Sequence, residues 1–195
     1  ALPCALAAQT VPTANAAVKR ALDRLKADNA WTIDQQVSIC EIPAPPFKET
    51  ARGAEYKRRL EALGLTVRID SIGNVIAERR GTGGGPTVMI AGHLDTVFPE
   101  GTDVKVKREG TLMRGPGIGD DCRGLAVVLA VVRALNAGHV QTPGTITFVG
   151  NVGEEGLGDL RGVKYLFDVG LKGQVDRFVS IDGTGKPPPS CTNCP

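Results

Sequence analysis

The chain has 195 residues, 42% hydrophobic and 23% charged, which is ordinary for a soluble globular protein and long enough for one well-formed core. Lys and Arg number 23 against 21 Asp and Glu, for a net charge of +2, and aromatics are only 4%, so the basic, aromatic-interleaved surface of a nucleic-acid binder is missing. No stretch of about 18 apolar residues occurs, which excludes a membrane-spanning helix.

In chain order, ALPCALAAQT is small and apolar, and Ala5-Leu6-Ala7 fits a signal-peptidase site. Residues 1–12 are therefore expected to be a signal-peptide remnant. The expected location is periplasmic or secreted, and otherwise cytoplasmic. Residues 13–28 set Val18, Leu22 and Leu25 at helical spacing, with Thr13 as the candidate N-cap. TIDQQVSICEI (32–42) reads as a second helix, stopped by Pro43, Pro45 and Pro46. Residues 48–64 form an amphipathic helix closed by Gly64. LTVRID and NVIAER read as strands around the turn SIGN. TVMIAGH (87–93) is a short apolar run, expected as a central strand.

DVKVKREG (103–110) alternates charge with Val and predicts a solvated hairpin strand. Residues 122–137 put Leu125, Val128, Leu129, Val132 and Leu135 on one helical face, ended by Gly138. TITFVGN (145–151) and RFVSID (177–182) predict two more buried strands. Strands alternating with helices predict an α/β layered fold. The five cysteines are odd in number and irregular in spacing, which predicts no disulfide framework, and the lone CTNC at the tail reads as incidental thiols.

Polar residues cluster at or just after the ends of the apolar strands, where open α/β sheets carry their ligands. In GHLDTV, His93 and Asp95 are two apart and share a side of an extended segment, so Asp95 could hold one imidazole nitrogen while the other binds a metal. In GPGIGDDCRGLA, a Gly-rich loop delivers Asp120 and Asp121 to a helix start; one Asp suffices as an N-cap, which leaves the second free for another task. GEEGLGD places Glu154 and Glu155 side by side after a buried strand, a repulsive arrangement that calls for solvent, cations or a shared proton to offset it. SIDGTG puts Asp182 after the last strand. One His with several carboxylates suits paired divalent ions better than a Cys-rich structural zinc site. A Ser- or Cys-based hydrolase is disfavoured, because no nucleophile elbow is present and Cys122 has acidic neighbours that raise a thiol pKa.

These four segments, together with EIPAPPFKE (41–49), resemble the co-catalytic zinc exopeptidase and deacylase family over residues 32–185. That family includes aminotripeptidase, bacterial glutamate carboxypeptidase, aminoacylase, acetylornithine deacetylase and succinyl-diaminopimelate desuccinylase. The resemblance implies a three-layer catalytic domain at 13–185, with a mixed, mostly parallel sheet and helices on both faces. It implies a hydrolase for peptide or N-acyl amide bonds, acting on small peptides or N-acyl amino acids through two divalent ions, zinc first and cobalt or manganese as alternatives. Carried over by position, His93 binds one metal and Asp95 orients it. Asp120 bridges both metals, since Gly124 lies four residues beyond it, and Asp121 follows through a cis peptide. Glu154 is the general base, Glu155 binds the second metal, and Asp182 completes the first.

The family's fifth ligand is a His beyond a lid domain. The only other histidine, His139, reads as an exposed helix-end residue. The chain is accordingly expected to be a C-terminally truncated member without the lid or dimerisation domain, with 186–195 an irregular tail. A homodimer is expected only with that lid. The competing expectation is an inactive metal-binding domain of the same fold.

Overall fold

The structure is a computed structural model that describes residue 12 and residues 14–183. Apart from Pro12, the expected signal remnant, Thr13 and the tail at 186–195 lie outside the described residues.

Three helices open the chain: α1 (Ala16–Ala27), α2 (Asn29–Cys40) and α3 (Thr50–Ala62). The N-cap of α1 is Asn15, whose side chain accepts from the amides of Ala17 and Val18. Strands β1 (Thr66–Ile69), β2 (Val75–Arg79) and β3 (Val88–His93) come next. A small hairpin of β4 (Lys107–Glu109) and β5 (Leu112–Arg114) stands apart as its own two-stranded sheet. Then come α4 (Cys122–Gly138), β6 (Ile146–Asn151), a short α5 (Arg161–Tyr165) running into a π-helical turn at Leu166–Gly170, and β7 (Arg177–Ser180).

The main sheet has the order β1-β2-β6-β3-β7. The β1–β2 and β2–β6 pairs are antiparallel, whereas β6–β3 and β3–β7 are parallel. The parallel part is the part that matters for the site, because β6, β3 and β7 then release their chains at one common edge. In register, His93 at the end of β3 lies beside Asn151 at the end of β6.

Strand alternation gives the sheet two apolar faces. Val75, Ala77 and Phe148 pack with Tyr56 and Leu60 of α3 and with Leu125, Val128, Leu129 and Val132 of α4. Ile76, Met89, Ala91 and Val149 point the other way, onto Leu166 of the π turn and Leu171 just beyond it. Helices thus cover both faces, giving three layers.

Two expectations need correction. RFVSID does not form a buried strand: all four residues of β7 are exposed, because β7 pairs on one side only, with β3. Its apolar Phe178 and Val179 mimic a core strand in sequence, but burial is set by position in the sheet. The cysteines also do more than expected: Cys40 at the end of α2 and Cys122 at the start of α4 are joined as a disulfide, with Cα atoms 5.3 Å apart across 82 residues of sequence. Odd count and irregular spacing say nothing about such a single tertiary cross-link.

Candidate metal centre

His93 ends β3 and is 2% exposed. Its Nε2 lies 2.9 Å from Asp120 Oδ1 and 3.8 Å from Asp182 Oδ1. Its Nδ1 is committed to the main-chain carbonyl of Asp95 at 3.0 Å. This departs from the expected pairing through the Asp95 carboxylate, which stands 3.6 Å away. That carboxylate is fully buried, and its two oxygens accept from the amides of Glu154 and Glu155, at 3.0 and 2.9 Å. Asp95 therefore fixes both the imidazole, through its backbone, and the turn that carries the two glutamates.

The two adjacent aspartates divide their tasks. Asp121 is buried, and its carboxylate accepts from Gly124 N at 2.8 Å as the cap of α4 and from His93 N at 3.0 Å. Asp120 is turned out, half exposed, toward the imidazole. The peptide between them is cis.

All six residues singled out in the sequence (His93, Asp95, Asp120, Glu154, Glu155 and Asp182) meet at the carboxyl edge of the parallel strands. Ligand atoms of His93, Asp120 and Asp182 lie within 4.8 Å of one another, and so do those of His93, Glu154 and Glu155. His139 takes no part: it is the exposed, left-handed C-cap of α4, about 27 Å along the helix from Asp121 at 1.5 Å per residue.

Electrostatics set this cluster apart from a surface of incidental acids. Burial alone would depress the His93 imidazole, but Asp95, Asp121 and Asp120 outweigh it and lift it to about 10. Burial would raise Asp95, yet His93 and the two glutamate amides outweigh it and keep its carboxyl below the usual range. Burial raises Asp121 to about 7 against the opposing pull of His93. Burial also raises Glu154 and Glu155, with Asp182 adding to the first and Asp120 to the second. Among the described residues, no Lys or Arg forms an ion pair with Asp120, Glu154, Glu155 or Asp182. Four converging carboxylates with one imidazole and no protein cation fit an oxygen-rich site for divalent cations.

Sequence reading passed over Arg52. It is 1% exposed, and its guanidinium donates to the carbonyls of Leu94, Ile42 and Cys40. Burial lowers it to about 10, with Asp95 pulling the other way. Through Leu94 it anchors the segment between His93 and Asp95. The available signal was phase: residue 52 falls four before Tyr56 and eight before Leu60, on the buried face of α3.

The site thus sets an acidic, one-histidine cluster at the edge of the parallel strands of a three-layer α/β fold. Residues 89–190 match peptidase family M20/M25/M40, more than half of the chain, and the chain belongs to that family. Carboxypeptidase G2 of Pseudomonas sp. (strain RS-16) is 36% identical over 113 residues, 54% of this chain and 27% of that protein. Aminopeptidase PepT from Bacillus cereus superposes with a TM-score of 0.68 at 25% identity, covering 80% of this chain and 43% of that one. Bacillus subtilis YxeP, described as a dinuclear metal-binding peptidase of the M20 family, superposes with a TM-score of 0.62 over 82% of this chain and 44% of its own, at 19% identity, a likeness of fold. The chain spans about a third of the length of the curated relatives it matches.

Proposed function

We propose that this chain carries the catalytic metal site of a hydrolase that cleaves peptide or N-acyl amide bonds in small peptides or N-acyl amino acids. The observation that carries the reading is the convergence of His93, Asp120, Glu154, Glu155 and Asp182 from three strand ends and one loop, with no Lys or Arg paired to its carboxylates among the described residues. His93, Asp120 and Asp182 would hold one divalent ion, and Glu155 with Asp120 the other. Zinc is the first candidate, ahead of cobalt and manganese. A bound divalent ion supplies Lewis acidity, polarising the scissile carbonyl and making water acidic near neutral pH.

The protein's own share is positional and acid–base. The Asp95 carbonyl holds His93 Nδ1, so that Nε2 faces the carboxylates. Glu154 accepts the proton of the attacking water and passes it to the leaving nitrogen. Its raised pKa supports that role, since a base working near neutrality must also be able to release its proton.

The test is metal content before turnover. Elemental analysis of zinc-reconstituted protein should give two ions per chain, with Asp120→Ala losing most of both. In a longer version of the chain that turns over substrate, Glu154→Gln should keep the metal and lose roughly 10²–10⁴-fold in turnover on a panel of dipeptides, tripeptides and N-acetyl amino acids. Loss of metal in Glu154→Gln would make Glu154 a ligand, as its closeness to His93 and Glu155 permits. Full metal binding with no hydrolysis of any panel member would favour an inactive metal-binding domain.

A further inference from the structure

We propose that Glu49, braced by Arg161, is a positioning residue that sets the turn carrying Glu154 and Glu155; this deepens the metal-site reading above and rests on it. After β6 ends, four consecutive amides leave the sheet, and each donates to a buried side chain from another part of the chain. Val152 N donates to Asn74 Oδ1 at 3.0 Å, and Gly153 N to Glu49 Oε1 at 3.0 Å. Glu154 N and Glu155 N donate to the two carboxylate oxygens of Asp95. Asn74, Glu49 and Asp95 are 0%, 4% and 0% exposed. Buried amides require partners, but partners from the main chain would satisfy them equally well. Here every partner is a side chain, and two of the three are carboxylates, which make shorter and stronger hydrogen bonds than neutral acceptors.

Glu49 is itself held in place from a distant part of the chain. Arg161 Nη2 reaches both of its oxygens, at 2.8 and 2.9 Å, while Arg161 Nη1 donates to the Ile72 carbonyl at 3.0 Å. The Arg161 main chain closes the loop, because its amide donates to the Gly153 carbonyl at 3.1 Å. Gly153 is thus gripped at its N–H by Glu49 and at its C=O by the residue that holds Glu49. Glu154 is the next residue. A small shift at Gly153 moves the Glu154 carboxylate by a comparable amount, and misplacement of about 1 Å in a catalytic group is costly.

The test compares Glu49→Ala, Glu49→Gln and Arg161→Lys with Val140→Ala, which thins the separate cluster between α1 and α4. Amide exchange by NMR and Co²⁺ titration by visible absorption are read in each. In Glu49→Ala the Gly153 amide should exchange at least about 10-fold faster relative to the β6 amides, and Co²⁺ affinity should fall roughly 10–100-fold. Glu49→Gln keeps an acceptor for Gly153 N but turns an amide nitrogen toward Arg161 in place of one of the two oxygens it grips, so it should fall between wild type and Glu49→Ala in both readouts. Arg161→Lys, unable to span both oxygens, should likewise fall between them and serves should Glu49→Ala not fold. Val140→Ala should lose stability without loss of Co²⁺ affinity. Unchanged Gly153 exchange in Glu49→Ala, wild-type behaviour of Arg161→Lys, or equal loss of Co²⁺ in Val140→Ala would overturn the proposal. If wild-type protein takes up no Co²⁺, the metal reading fails, and the exchange pattern alone decides whether Glu49 holds the turn.

Discussion

Asp121 occupies space that two glycines leave open. A Cβ on Gly92 would lie 2.6 Å from Asp121 Oδ2, and one on Gly124 would collide with the same carboxylate. Two effects compete at Gly124, which sits in the first turn of α4. Helix propensity favours alanine over glycine by about 1 kcal/mol. Forcing a methyl group into an occupied, fully buried space costs roughly 1–3 kcal/mol, and here it also displaces the helix cap, worth about 1 kcal/mol. The steric terms win, so Gly124→Ala should be destabilised by about 1–3 kcal/mol in urea unfolding. A stabilised variant would show that Asp121 does not rest against Gly124. The sequence displays two neighbouring aspartates before a helix, and both can cap. Spacing favours Asp120 as the outward one only through family resemblance; what separates them physically is that Gly92, from a distant strand, leaves room for the carboxylate of Asp121 alone. That contact spans 29 residues of sequence and no local pattern encodes it.

Elements with strong periodicity were legible, and α3 shows both the reach and the limit of that signal. Its apolar stripe through Tyr56 and Leu60 gives the helix, its direction and its buried face. Its polar face carries Glu55, which accepts from Arg58 at 2.7 Å and from Arg59 at 2.8 Å. The Arg58 hydrogen bonds, aided by Arg59 and opposed by slight burial, hold the Glu55 carboxyl down to about 2. The native pKa lies below the unfolded one, so the pair stabilises above about pH 4.5, and that stability is lost as pH falls toward about 2. Solvent screens such a pair, which limits its worth to about 0.5–1 kcal/mol. Glu55→Gln should therefore be less stable than wild type by about 0.5–1 kcal/mol at neutral pH, with the gap narrowing steadily below about pH 4. A gap of constant size across that range would mean that the glutamate acts through packing instead of charge. By contrast, α5 and its π turn escaped sequence reading because RGVKYLFDVG is short and interrupted by Gly162 and Gly170, with too few turns to set a period. It nevertheless supplies Arg161, the brace of Glu49, and Leu166, the cover of the second sheet face.

At the scale of the molecule, the layered fold was readable from alternating strands and helices, but the contacts that tie its layers to the site were not. The Cys40–Cys122 disulfide is the clearest of these. It joins the end of α2 to the start of α4, one residue after Asp121 and two after Asp120, and both cysteines are fully buried. A cross-link closing a loop of 82 residues removes much of the freedom of the unfolded chain, and such bonds typically stabilise by about 2–4 kcal/mol. In a domain of this size that corresponds to roughly 4–16 °C in Tm. Non-reducing digestion and mass spectrometry should recover peptides containing Cys40 and Cys122 as a linked pair. Reductant should lower the Tm of the wild type by several degrees and leave that of a Cys40→Ser, Cys122→Ser double variant unmoved. The bond holds the loop bearing Asp120 as well as the fold, so reduction at temperatures well below unfolding should also weaken Co²⁺ binding, by a factor on the order of 10. Equal Co²⁺ affinity in the oxidised and reduced protein would confine the cross-link to stability and detach it from the site.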